Sequence, residues 1–188
     1  MRRLQRHAHP PDRQPRLHRQ GHRHLRLLPQ DSLRRRPNRH AHGEGGRHVS
    51  GTHRGVLRFD GGSSGNPGPA AAAYVIEVDG EVVLEEGHFL GSRTNNEAEY
   101  EALIRGLSRA SELHVDDLAV FGDSELVILQ MLGRYKVRSE RLRDLHARAL
   151  SIAASFRKIS FRHIKRDENK AADRIVRRTI NTRGYVLE

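Results

Sequence analysis

The chain has 188 residues, neither cysteine nor tryptophan, and a formal charge of +11. The absence of cysteine excludes disulfides and thiolate metal sites, and no apolar run is long enough for an export signal or a membrane span. The charge is lopsided: residues 1–54 hold 14 of the 34 Lys and Arg but 3 of the 23 Asp and Glu, so residues 55–188 sum to zero.

Residues 1–54 also hold nine of the 13 histidines, several prolines and almost no periodic apolar pattern. Such a segment cannot bury enough apolar surface to offset its ordering entropy, so it is expected to be a disordered Arg/His/Pro-rich tail. The bland reading is that it has no specific function. One version of that reading is a misassigned start, because Arg, His, Pro and Gly runs are what GC-rich codons give out of frame. The alternatives are an electrostatic hold on nucleic acid and a His-rich metal tract.

From Val56 the pattern becomes regular, and residues 55–188 are expected to form one domain. VLRFD (56–60) reads as a short strand. Asp60 ends it and opens a Gly, Ser, Asn and Pro stretch longer than the two to five residues of a plain hairpin turn. AAAAYVIEVDG (70–80) and EVVLEEGHFLG (81–91) make a hairpin about Asp79-Gly80. Residues 93–113 read as a helix, with Asn95 or Asn96 as the expected N-cap and Glu97 and Glu99 at the positive end of its dipole. A buried strand (116–123), a helix stopped by Gly133 (124–133) and a helix capped by Ser139 (139–156) follow. An alternating strand (158–165) and a last helix (169–182) complete the order β-β-β-α-β-α-α-β-α. That order predicts an α/β domain, a mixed five-stranded sheet with flanking helices.

Four acids stand out. Asp60 and Asp123 both close a strand, and ligands bind beyond the carboxyl ends of strands in open α/β sheets. If those two strands are parallel neighbours, the carboxylates meet. Glu99 shares a helical stripe with Leu103, Gly106 and Ala110, and Asp173 shares one with Val176 and Ile180. An acid on an inward stripe needs a partner, because burying a lone charge is costly. Glu101 instead faces Arg105 in an ordinary surface pair. Convergent carboxylates without cysteine suit hard cations such as Mg²⁺. Two such ions ~4 Å apart can activate water and stabilise the leaving oxygen in phosphodiester cleavage. The competing reading is four unrelated surface or capping acids.

The segments DGGSSGNPGPA, RTNNEAEYEAL, FGDSELV and HIKRDENKAAD stand in order across residues 55–182. Together they resemble the four acidic motifs of ribonuclease H of the type-one family. The resemblance implies a ribonuclease H-like fold and endonucleolytic hydrolysis of the RNA strand of RNA–DNA hybrids, with 5′-phosphate and 3′-hydroxyl products. It implies two Mg²⁺ ions, with Mn²⁺ as a substitute, held by Asp60, Glu99, Asp123 and Asp173, and Asp60 shared between them. His163 matches the family's mobile histidine, with Lys165 and Arg166 as cationic alternatives. Gly61, Asn66, Arg93, Thr94, Asn95 and Asn96 match its substrate groove. The longer relatives' basic, tryptophan-rich protrusion is missing, which places the chain with the compact bacterial and archaeal branch. Substrate grip then falls to Lys136, Arg138, Arg141 and Arg143, or to the tail. A monomer in the cytoplasm, with no membrane and no obligate protein partner, is expected. The alternatives are a non-catalytic nucleic-acid-binding module of the same fold and a related nuclease acting on DNA.

Overall fold

The structure, a computed structural model, describes residues 52–188. All but the last three residues of the expected tail therefore lie outside the described residues. The elements are β1 (Arg54–Ser63), β2 (Gly68–Val78), β3 (Glu81–Arg93), α1 (Asn95–Glu112), β4 (Asp117–Gly122), α2 (Glu125–Met131), α3 (Glu140–Ala153) and β5 (Lys158–His163). A single 3₁₀ turn (Arg166–Glu168), α4 (Lys170–Thr182) and β6 (Val186–Leu187) complete the chain. Among the described residues no helix is long and apolar enough to cross a membrane.

The strands form one mixed sheet in the order β5-β4-β1-β2-β3-β6. β1, β2 and β3 run as an antiparallel meander, and β4 and β5 add in parallel beside β1. The sheet has six strands, not the expected five. β6 pairs with β3 through Glu86↔Leu187 and Gly87↔Val186. Two residues carry no readable period. Val186 is held instead by burial beside Val75 and Ile175, a contact that only the folded chain creates.

β2 explains how helices reach both faces. Ala70, Ala71, Ala72 and Ala73 are all fully buried, and their small side chains leave room for α1 on one face and α4 on the other. The larger core lies on the α1 face, where Leu57, Phe59, Tyr100, Leu103, Leu107, Val120 and Ile128 are fully buried. The smaller one joins Ala71, Ala73 and Val75 to Ile175 and Val176 of α4.

The N-cap of α1 is Thr94, not Asn95 or Asn96. The Thr94 hydroxyl accepts from Glu97 N (3.3 Å) and donates to Glu97 Oε2 (2.7 Å), which also accepts from Thr94 N (2.8 Å). This is a capping box, and its Thr-x-x-Glu spacing outweighs the general preference for Asn at a cap. Thr94→Ala is expected to cost about 1 kcal/mol, read as a melting temperature a few degrees lower.

A third difference concerns Asp60. β1 does not end there but runs on to Ser63, and β2 begins at Gly68, so only four residues connect them. The stretch after Asp60 is therefore mostly strand, an ordinary hairpin in length.

Candidate active site

The parallel pairing of β1 with β4 aligns Phe59 with Gly122, so the next residues, Asp60 and Asp123, become neighbours. Glu99 enters from the first turns of α1, on the face that also buries Leu103, Gly106 and Ala110. One carboxylate oxygen from each of Asp60, Glu99 and Asp123 lies within 4.8 Å of the others. Three elements distant in sequence thus place three carboxylates at one point, the first two of them buried.

Close approach of α1 depends on Gly61. A Cβ there would stand 2.2 Å from Ala98 C and Glu99 N and 2.5 Å from Ala98 O. Those are backbone atoms of the helix and cannot swing aside. Gly61→Ala is expected to push α1 off the sheet, at a cost of at least about 2 kcal/mol in stability. Because Glu99 would move away from Asp60, the affinity of the acid cluster for a divalent cation should fall further than the folded fraction does, read by Mn²⁺ titration. Gly61 is also expected at the substrate groove; its missing side chain serves the packing of α1.

The electrostatics are those of a site short of positive charge. Burial, then the charges of Asp123 and Asp173, push the Asp60 pKa up from 3.8 to about 7. Burial and the charges of Asp60 and Asp123 push Glu99 well above the usual carboxylate range, with the Gly61 backbone amide opposing weakly. Glu99 Oε2 is buried without a hydrogen-bond partner. Buried polar atoms are rarely left so. An all-oxygen donor set with an orphaned carboxylate oxygen fits a hard divalent cation.

The other expected residues sit around this centre. Asp173 is at its edge. Its charge reaches Asp60, but its oxygens engage Arg166 (2.7 Å) and Arg177 (2.9 Å). Pairing of Gly122 with His163 at the end of β5 brings the histidine alongside, where exposed Nε2 donates to the Asp123 carbonyl oxygen (3.2 Å). Asn66 Oδ1 accepts from Asn95 N (3.0 Å) and ties the β1–β2 turn to the start of α1. Arg93, Asn95 and Asn96 are exposed on the rim, whereas the Thr94 hydroxyl is committed to its cap. A cavity of about 490 Å³ opens beside Asn96 and is lined by Arg134, Tyr135, Lys136 and Arg138 from the α2–α3 connection.

Sequence reasoning missed Asn169. It is fully buried and bridges the Phe59 carbonyl and the Asp123 carboxylate. The available signal was an asparagine four residues before Asp173, at the start of the same helix.

The chain is similar to several known proteins. The family described as "Reverse transcriptase-like" matches residues 58–179. Ribonuclease HI of Halobacterium salinarum is 40% identical over 124 residues, which is 65% of this chain and 62% of that protein. A bifunctional protein of Mycobacterium tuberculosis is 44% identical over 122 residues, 64% of this chain and 34% of that one. The chain thus spans about a third of the mycobacterial relative's length and about three fifths of the archaeal one's. The crystal structure of LC11-RNase H1 in complex with an RNA/DNA hybrid superposes with a TM-score of 0.65 at 36% identity, covering 69% of this chain and 98% of that one.

Proposed function

We propose, on the premise that this chain belongs to the type-1 ribonuclease H family, that it hydrolyses the RNA strand of RNA–DNA hybrids and leaves 5′-phosphate and 3′-hydroxyl ends. The observation that carries the reading is the Asp60–Glu99–Asp123 cluster, with its buried, unpartnered Glu99 oxygen. Asp60, Glu99, Asp123 and Asp173 would hold two Mg²⁺ ions, or Mn²⁺ in their place. When bound, such ions lower the pKa of the attacking water and stabilise the departing 3′-oxygen.

The chain's own residues do the rest. Three carboxylates, two of them buried, repel one another, and that stored repulsion favours capture of a cation. Asp173 completes the set from the rim. His163, exposed beside Asp123, is placed to carry a proton towards or away from the cut. Asn66, Arg93, Asn95 and Asn96 face the minor groove of the hybrid, where the 2′-hydroxyl separates the RNA strand from the DNA strand. Arg134, Lys136 and Arg138 hold phosphates of the flanking duplex. All four acids come from one chain, so a monomer suffices.

The test is incubation of the full chain with a labelled hybrid in Mg²⁺ or Mn²⁺, beside single-stranded RNA, double-stranded RNA and DNA. Cleavage of the hybrid alone, within its RNA strand and with 5′-phosphate products, is the expected result. Cleavage of DNA with the hybrid spared would overturn it.

A further inference from the structure

Asn169 has no part in the chemistry above, yet it touches the site at several points. Its Nδ2 donates to the Phe59 carbonyl (2.9 Å) and to Asp123 Oδ1 (2.9 Å). Phe59 immediately precedes Asp60 in β1. The backbone carbonyl of Asn169 accepts from Asp173 N (3.1 Å) in the first turn of α4. One fully buried residue is therefore bonded to β1 beside Asp60, to Asp123 itself and to the backbone of Asp173.

The chemistry of these bonds leaves no choice of orientation. A carbonyl and a carboxylate only accept, so the amide must present its NH₂ end to both. Both of its donor hydrogens are used, and Oδ1 is left buried without a partner. Asn169 also stands at the N-cap of α4, where asparagine ordinarily bonds the free amides of the first turn. It makes no such bond. The side chain gives up the local cap and serves Asp123 instead.

We propose that Asn169 is the positioning residue of the acid cluster. It pins one oxygen of Asp123 and so sets where the other meets a cation, while holding Asp123 in register with Asp60 through Phe59. The proposal rests on the cation-binding reading of the cluster. Groups that orient metal-binding side chains typically contribute about 10- to 100-fold in metal affinity or activity.

The test uses the full chain without substrate, titrated with Mn²⁺ by calorimetry, beside Asn169→Ala. Thermal melting supplies the folded fraction. Mn²⁺ affinity per folded molecule is expected to fall about tenfold. At saturating metal, kcat on the hybrid should fall similarly while KM stays within about twofold, since Asn169 is fully buried and its side chain bonds only Phe59 and Asp123. If Asn169→Ala does not fold, Asn169→Ser, which keeps one donor, is judged by the same criteria. A lower melting temperature with unchanged Mn²⁺ affinity and kcat would reduce Asn169 to an anchor for α4 and overturn the proposal. Absence of any Mn²⁺ binding by the unaltered chain would overturn the cation-binding reading instead, and this proposal with it.

Discussion

Replacing Asp123 with asparagine is expected to lower kcat on the hybrid on the order of a thousandfold or more, while binding of the hybrid and the fold survive. The substitution is close to isosteric. The Oδ1 of an asparagine can still accept the bond that Asn169 Nδ2 makes to Asp123, so the buried amide keeps its partners. What is lost is one negative charge from a set of three carboxylates within 4.8 Å. Lewis-acid stabilisation at such a centre contributes several kcal/mol to the barrier, and every 1.36 kcal/mol is about tenfold in rate. The check is single-turnover cleavage at saturating Mg²⁺, with fluorescence anisotropy of the hybrid as the binding control. Activity above about a tenth of the unaltered level would mean that Asp123 holds no cation needed for the reaction.

Asp60→Asn should stabilise the metal-free protein even as it abolishes activity. The Asp60 pKa in the fold, about 7, lies above its ordinary value of 3.8. Between those values the folded state binds the extra proton, so stability falls as pH rises from about 4 to 8. The full shift corresponds to about 4 kcal/mol as an upper bound, because part of it is shared with Asp123 and Asp173. In EDTA at pH 8, Asp60→Asn should therefore melt higher, by as much as ~10 °C, and the gap should close towards pH 4. Added Mg²⁺ should raise the melting temperature of the unaltered chain, because a ligand of the folded state stabilises it, and should do much less for the variant. A variant that melts lower than the unaltered chain at pH 8 in EDTA would show that Asp60 is held by bonds that outweigh its burial and the neighbouring charges. Glu99, raised by burial first and by Asp60 and Asp123 next, contributes in the same direction.

Much of this site could be read before folding. The inward stripe of Glu99 with Leu103, Gly106 and Ala110 follows from a period of 3.6 residues, and those residues are buried together. Asp60 and Asp123 were suspected from their places beside strands, and the parallel pairing of β1 and β4 brings them together. Local order hid other features. Gly61 reads as part of a loop because Gly, Ser, Asn and Pro follow it, yet it is strand, kept bare by the backbone of α1. The asparagines beside Thr94 are the commoner cap residues, but Thr-x-x-Glu is the more specific signal, and Thr94 is the cap. Arg177 stands four residues after Asp173 on α4, a pair that helical spacing announces, but nothing in the chain order announces that Arg166, outside that helix, engages Asp173 as well.

Spacing and composition already carry the alternation of strands and helices, the apolar faces, and the presence of acids where faces turn inward. These are properties of residues a few positions apart, and a helical or pleated period exposes them. Contacts between residues far apart in the chain come into being only on folding. The Asn169–Phe59 bond spans 110 positions and the Asn169–Asp123 bond 46, and β6 reaches back to β3. A hydrogen bond to a distant carbonyl has no period and leaves no local trace. It exists because a buried polar group must find a partner among whatever the packing brings near.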